Sequence, residues 1–243
     1  MTSVALRLLV LGLDNGGKST FVTRLFGEDI EKTRPTVGLV IRTKTHIVDD
    51  VIIDVDYWDV GGQESLRRHW HNIYHKGDAV VWVIDSSDVE RMETCFDQLK
   101  LTAAAIRSKS LGFLVVCNKQ DLPTALSVSD IRQVSTLAVA GRHRIPNVSG
   151  TTVFMEGCSA VLMSPDDLDQ IIRKFIKTFL PSLPIMESRL VLPQTLYTNQ
   201  ALENGEKKIQ AAIDWNRPIQ LPEIDFRFTA LEKLCQATHT TTS

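Results

Sequence analysis

Apolar runs and helical spacings alternate along roughly the first 180 positions of this chain. Val4–Leu11 is a nearly continuous apolar run, which predicts a strand buried on both faces. Ser19–Phe26 follows with helical spacing. Leu39–Val48 and Val51–Trp58 read as two strands joined at Asp49-Asp50, a dipeptide that suits a hairpin turn. Glu64–His75 reads as a helix, Ala79–Asp85 as a strand, Glu90–Arg107 as a long amphipathic helix and Leu111–Cys117 as a strand. Val128–Val139 is helical, with Ser127 or Ser129 as cap, and Thr152–Met155 is a short strand. The last helix, Asp166–Leu180, starts at the Ser164-Pro165 signal. Helices and strands alternating in this way, with one antiparallel hairpin, imply a mostly parallel sheet covered by helices.

The pattern changes after Leu180. Five of the nine prolines (Pro181, Pro184, Pro193, Pro218 and Pro222) fall in the final stretch. A domain boundary is placed near Pro181, giving a domain over 1–180 and a C-terminal extension over 181–243. Helical spacing is present over Leu196–Ala212 and again over Ile224–Cys235. Trp215, Phe226 and Phe228 make the extension too apolar for a pure solvated linker. It is expected to pack on the main domain or on a partner.

Composition narrows the class. The apolar content of 43% over 243 residues is ample for a core, and a net charge of −2 gives no reason to expect a nucleic-acid partner. Cys95, Cys117, Cys158 and Cys235 are scattered without metal-ligand spacing, which reads as free thiols in a reducing compartment. No apolar run approaches the ~20 residues that span a bilayer. Thr2 stands where N-myristoylation needs glycine, and Thr-Thr-Thr-Ser at the end carries no prenylation box, so neither lipid signal is expected.

The candidate chemistry lies at the ends of the predicted strands. Gly12-Leu13-Asp14-Asn15-Gly16-Gly17-Lys18-Ser19 fits the phosphate-loop pattern G-x-x-x-x-G-K-[S/T] in full, between a strand and a helix as that motif requires. Glycine tolerates the positive φ that turns successive N–H groups inward, and the helix N-terminus adds free donors and the positive end of a dipole. Asp14, Asn15, Gly16, Gly17, Lys18, Ser19 and Thr20 are therefore the candidate phosphate-binding residues, with Lys18 reaching the β- and γ-phosphates and Ser19 offering its hydroxyl to Mg²⁺. Asp59-Val60-Gly61-Gly62-Gln63 ends the third strand. There Asp59 is placed to hold Mg²⁺, Gly62 to approach the γ-phosphate through its N–H, and Gln63 to orient a water for in-line attack. Asn118-Lys119-Gln120-Asp121 ends the fifth strand. A carboxylate at Asp121 can accept a donor pair from guanine that adenine lacks, and Lys119 can lie along the base. Cys158-Ser159-Ala160 follows the sixth strand, where the Ala160 N–H can reach guanine O6. All four segments fall at the C-terminal ends of strands, where ligands bind in open α/β sheets.

These residues, with Arg34-Pro35-Thr36-Val37-Gly38, Trp58-Asp59-Val60-Gly61-Gly62-Gln63-Glu64, Asp85-Ser86-Ser87-Asp88 and Asn118-Lys119-Gln120-Asp121-Leu122-Pro123, resemble a small GTPase of the ADP-ribosylation factor family, Arf-like branch. The resemblance covers roughly residues 4–180. It implies a P-loop small G-domain: a mostly parallel six-stranded sheet with one antiparallel strand at its edge and helices on both faces. It implies GTP, GDP and Mg²⁺ as ligands, Ser19, Thr36 and Asp59 at the metal, Thr36 as the switch I threonine, and Gln63 as the catalytic glutamine of switch II.

The resemblance further implies an exchange factor, a GTPase-activating protein and effectors as partners. An exposed apolar effector patch would fall at Leu39, Trp58 and Ile73, with Trp70 a candidate for patch or core. The expected location is cytoplasmic, peripheral to an organelle membrane through partners. Residues in excess of the family spacing between Thr36 and Asp59 are expected in the hairpin around Asp49-Asp50. With no arginine finger identifiable in the sequence, intrinsic hydrolysis should be slow, on the order of 10⁻³ per second or below. Two readings stand: a GTP-operated switch, or a GTP-bound scaffold whose extension carries the partner-binding role. His71 and His75, four apart in a predicted helix with His69 beside them, suit a metal less well than an ordinary surface, because this segment must move.

Overall fold

The computed structural model describes residues 3–75, 78–106, 110–137, 153–183, 199–203 and 206–211. The strands are β1 (Ser3–Leu11), β2 (Leu39–Val48), β3 (Val51–Val60), β4 (Asp78–Asp85), β5 (Ser110–Asn118), β6 (Val153–Gly157), β7 (Asn199–Glu203) and β8 (Glu206–Ala211). The helices are α1 (Lys18–Leu25), α2 (Glu64–Arg67), α3 (Met92–Ile106), α4 (Val128–Leu137) and α5 (Pro165–Lys177). All eight strands form one sheet in the order β6-β5-β4-β1-β3-β2-β8-β7. The pairings β1–β3, β1–β4, β4–β5 and β5–β6 are parallel, while β2 runs antiparallel to β3.

The central strands are apolar throughout because both faces are covered. Along β4, Ala79, Val81 and Val83 enter one core with α1 and α5, and Val80, Trp82 and Ile84 enter a second core with α3. The β2–β3 turn at Asp49-Asp50 places both residues at positive φ (46° and 64°), as a two-residue hairpin turn requires. The turn is thus minimal, and the hairpin is built of two ten-residue strands. Helix α5 starts at a capping box between Ser164 and Asp167, with Pro165 in its first turn.

Two expectations are corrected. The 196–212 stretch is not helical: it carries β7 and β8, and β8 pairs antiparallel with β2. The six strands of the main domain form the expected mostly parallel sheet with β2 antiparallel on its flank, and β8 and β7 of the extension add to that flank. The 64–75 helix breaks into α2 and a separate 3-10 turn at Trp70–Ile73. The break leaves His71 and His75 off any common helix face. The 224–235 helix lies outside the described residues.

A buried polar cluster fastens the β2–β3 hairpin to α5. His46, fully buried on β2, has Nδ1 2.9 Å from Asp169 Oδ1 of α5 and Nε2 2.7 Å from the Tyr57 hydroxyl of β3. Arg173 pairs with Asp169 and donates to the Ile47 carbonyl (3.4 Å), and Lys177 reaches Asp49 (2.7 Å). Burial pulls the His46 pKa down to about 4, against the opposing pull of Asp169 and with help from Lys44 and Arg173. The unfolded chain therefore takes up a proton at His46 near pH 6.5, where the folded chain resists it until about pH 4. Stability from this residue is present above pH 6.5 and is lost as pH falls toward 4. Between pH 7 and pH 5 the loss should be about 2 kcal/mol. Urea unfolding at both pH values, compared with His46→Gln, reads this share. Equal losses in the two proteins would exclude a neutral buried His46.

Candidate functional site

The strand register brings the predicted site residues to one end of the sheet. Val10 is level with Asp59, Asp85 with Asn118, and Cys117 with Gly157. The loops that follow these strands therefore open on a common face.

The phosphate loop has the backbone its glycines imply. Gly12 (φ 141°), Asn15 (φ 61°) and Gly17 (φ 89°) adopt positive φ. A Cβ at Gly12 would sit 2.3 Å from the Val83 carbonyl oxygen, and one at Gly17 2.2 Å from Asn118 Nδ2. Lys18 is buried and donates from Nζ to the Leu13 carbonyl at 2.7 Å. Burial pulls its pKa down to about 8, against the nearby Asp59 and Asp14. Thr20 is half-buried in the first turn of α1, and Asn15 is exposed.

Ser19, Thr36 and Asp59 meet. The Thr36 hydroxyl lies 2.9 Å from Asp59 Oδ2 and 2.8 Å from the Ser19 hydroxyl. Asp59 is 4% exposed, and its Oδ1 has no hydrogen-bond partner. Burial raises its pKa, while the Ser19 and Thr36 hydroxyls and the Lys18 charge work the other way. A buried carboxylate oxygen without a proton donor, flanked by two hydroxyls, is an oxygen set that suits a hard dication such as Mg²⁺. Such an ion supplies charge neutralisation between the β- and γ-phosphates of a bound nucleotide.

Gly62 closes on the phosphate loop. Its carbonyl accepts from the Asp14 N–H (3.1 Å) and from Arg67 (3.2 Å). A Cβ there would sit 2.4 Å from Lys18 Nζ and 2.5 Å from the Gly12 carbonyl oxygen. The neighbouring Gly61 donates to the Gly38 carbonyl (2.9 Å) and accepts from the Trp70 indole (3.1 Å). Gln63 is exposed at the start of α2.

At the far side Asn118 is the hub. Its Nδ2 donates to the Gly16 carbonyl (3.0 Å), and its Oδ1 accepts from the Ala160 N–H (2.9 Å) and from Cys158 Sγ (3.3 Å). The hydrogen expected to face guanine O6 is thus already engaged, and any O6 contact from Ala160 would have to share it. Lys119, at φ 64°, donates to Asp85 (2.5 Å). Burial acts to raise the Asp85 pKa, but its bonds from Lys119 and Ser87 hold the carboxyl below its usual value. Asp121 is exposed, and the buried Ser159 accepts at its hydroxyl from the Leu162 N–H.

The expected apolar patch is corrected. Leu39, Trp58 and Ile73 are 1%, 1% and 0% exposed and share a core with Trp70, whose ring packs edge-on against Trp82 at 5.8 Å. Arg7 lies over the Trp58 ring, 4.4 Å from its centroid. Two residues that the sequence reading missed flank Asp14. Arg91 donates to its Oδ1 (3.1 Å) and its carbonyl (3.3 Å), and Arg67 lies 3.7 Å from the carboxylate. Asp14 itself was the available signal, since a carboxylate inside a phosphate loop needs cations to hold it off the ligand.

A phosphate-loop motif, a hydroxyl–carboxylate oxygen set and a candidate base-reading loop, on a P-loop α/β sheet, are the marks of a small nucleotide-binding switch domain. The family model described as ADP-ribosylation factor family matches residues 1–178. ADP-ribosylation factor-like protein 2 of Drosophila melanogaster is 41% identical over 149 residues, which span 60% of this chain and 79% of that protein. The Dictyostelium discoideum protein of the same name is 36% identical over 173 residues, 70% of this chain and 88% of that one. The solved structure of the Arl6 BBS3 small GTPase from Trypanosoma brucei, with bound nucleotide analogue GppNp, shares the fold at a TM-score of 0.53 and 20% identity, over 72% of this chain and 99% of that one. The chain belongs to the ADP-ribosylation factor family of small GTPases. It binds GTP and GDP with Mg²⁺ and hydrolyses GTP.

The close approach of Gly62 to Lys18 gives a direct test. Gly62→Ala sets a Cβ against the Gly12–Leu13 backbone as well as Lys18, so the two segments must part. Its affinity for GTP should fall at least tenfold while that for GDP changes little. Equal retention of both affinities would show that this approach is dispensable.

Proposed function

We propose that this chain is a GTP-operated switch that recruits partner proteins through Thr36, the β2–β3 hairpin and the Gly62–Ile73 segment, in membrane or organelle traffic. The observation that carries it is the meeting of Thr36 with Ser19 and Asp59 (2.8 and 2.9 Å). Thr36 comes from the loop that leads into β2, so the chain position that senses the cation is continuous with the strand next to it. In this reading Ser19, Thr36 and Asp59 hold Mg²⁺. Lys18 and the backbone of Asp14–Thr20 hold the phosphates, and Asn118, Lys119, Asp121, Ser159 and Ala160 form the base site. Gln63 orients the attacking water, and Gly62 presents its N–H to the γ-phosphate.

The domain extends over 1–180 and the extension over 181–243, a division supported by the end of α5 at Lys177 and of the family match at 178. Exchange factor, activating protein and effectors are the partner classes that family membership supports. Association with an organelle membrane is peripheral and through partners. Among the described residues no helix is long and apolar enough to cross a membrane.

Thr36→Ala is the decisive variant. Mg²⁺-GTP affinity should fall at least tenfold, and GDP affinity should stay within about threefold, because order at Thr36 distinguishes the two states. Equal losses would mean that Thr36 is structural and the switch lies elsewhere. Base selection is tested separately by Asp121→Asn, which should shift preference from guanine to xanthine nucleotides in fluorescent-nucleotide titrations. Unchanged guanine preference would remove Asp121 from the base site.

A further inference from the structure

Two donors that the nucleotide reading assigns to phosphate are engaged by the protein's own carbonyls. The Asp14 N–H of the phosphate loop donates to the Gly62 carbonyl (3.1 Å), and Lys18 Nζ donates to the Leu13 carbonyl (2.7 Å). Gly62 lies so close over the loop that a Cβ on it would sit 2.4 Å from Lys18 Nζ and 2.6 Å from the Leu13 carbonyl carbon. A γ-phosphate that takes Lys18 and the Gly62 N–H as partners must first lift the Gly62 carbonyl off the loop.

Arg67 holds that carbonyl down. It is the last residue of α2, and its side chain is only 11% exposed. Its guanidinium donates to the Gly62 carbonyl at 3.2 Å and stands 3.7 Å from Asp14 Oδ1. One side chain thus grips both partners of the Asp14–Gly62 bond. The carboxylate it grips is itself fixed. Arg91, just ahead of α3, donates to Asp14 Oδ1 (3.1 Å) and to the Asp14 carbonyl (3.3 Å), and is braced through Nε by Asp88 (2.7 Å). Asp14 is therefore an anchor between one arginine of the frame and one of the segment that carries Gly62. Burial is the main cause that pulls the Lys18 pKa down to about 8, and the Arg67 charge acts in the same direction, so the two cations stand close enough to oppose one another.

We infer that Arg67 is a specificity-determining residue for GDP against GTP: with Asp14 it forms a latch that keeps the Gly62 carbonyl on the phosphate loop, and only a ligand with a γ-phosphate has to open it. This rests on the reading in which Gly62 meets the γ-phosphate. The apparent affinity for GTP is then its intrinsic value reduced by the fraction of molecules with the latch open, while GDP has no group at that position and is indifferent to it. Arg67 is the residue to vary, because a Cβ at Gly62 would disturb both the closed contact and the N–H that meets the phosphate.

The test uses the full chain loaded with Mg²⁺-GDP. Amide exchange of Asp14 is read by NMR, and GTP and GDP affinities by fluorescent-nucleotide titration. Arg67→Gln should speed exchange of the Asp14 amide by about fivefold or more, with Val10 and Leu11 in β1 unchanged. It should raise GTP affinity relative to GDP about three- to tenfold, with GDP affinity itself within about twofold. Arg67→Lys keeps the charge near Asp14 and should fall between the two proteins on both readings. Arg68→Gln, at an exposed neighbour that donates to the Ser65 carbonyl (3.0 Å), should match wild type. Unchanged Asp14 exchange in Arg67→Gln overturns the latch. Faster exchange with an unchanged affinity ratio means that the latch exists but that the γ-phosphate does not bind at Gly62, which overturns the inference through the reading beneath it. A fall in GTP affinity makes Arg67 a phosphate ligand instead and also overturns it. Should Arg67→Gln unfold the domain, seen as fast exchange in β1, Arg67→Lys decides, and wild-type values on both readings overturn the inference.

Discussion

One buried carboxamide holds the nucleotide face together. Asn118 bonds the phosphate loop through Gly16 and the loop after β6 through Ala160, from the end of β5. Only a side chain with a donor and an acceptor back to back can serve both neighbours. A carboxylate would face the Gly16 carbonyl with like partial charge, and an aliphatic residue would strand buried polar groups at about 1–3 kcal/mol each. The same contact explains Gly17, where a Cβ would collide with Asn118 Nδ2. Three loops from distant parts of the chain are thus fixed against one another by protein contacts alone.

The parallel core was legible because its strands are apolar on both faces. Along β4 every residue from Ala79 to Ile84 is buried, in strict alternation between two cores, and no half-solvated sheet would look like that. The motif loops were legible because each demands particular residue types at fixed spacing. The 64–75 break was not. Leu66, Trp70 and Ile73 fall at helical spacing, yet the Trp70 indole bonds the Gly61 carbonyl and the chain tightens into a 3-10 turn there. Tertiary contact overrode local period. The 199–211 hairpin was misread for the same reason: Leu202 and Ile209, seven apart, mimic a helix face. Asn204-Gly205, the strongest short hairpin signal in that stretch, pointed the other way. Its partner strand is remote in sequence and leaves no local trace. Leu39, Trp58 and Ile73 were picked as apolar and placed on the wrong side, since type alone does not tell an inner row from an outer one.

Charged residues inside the fold account for the remaining surprises. Asp14 draws Arg91 and Arg67 to the phosphate loop, and that leaves the loop's own N–H groups rather than its carboxylate to face an anion. Asp169 sits among Leu168, Ile171 and Ile172 on the buried side of α5, where a carboxylate is costly unless paired. Its partners are His46, Lys44 and Arg173. A carboxylate interrupting an apolar helix stripe and a histidine in a strand were both visible in the sequence. That they answer one another was not.

The competing claims on β2 locate where this domain can move. Its far end, from Lys44 to the Asp49-Asp50 turn, is held by α5 through a buried histidine contact and two further cationic side chains. Breaking those contacts would expose Asp169 and strand Tyr57, so that end is expensive to shift. The near end is held differently. Gly38 is tied to Gly61, and Thr36 to Asp59, a carboxylate whose pKa burial has raised. The two ends of β2 are thus held by different chemistry: the far end by a buried ion-pair cluster on α5, the near end by the loop that carries Thr36, and β8 pairs only with the near end, Leu39–Arg42.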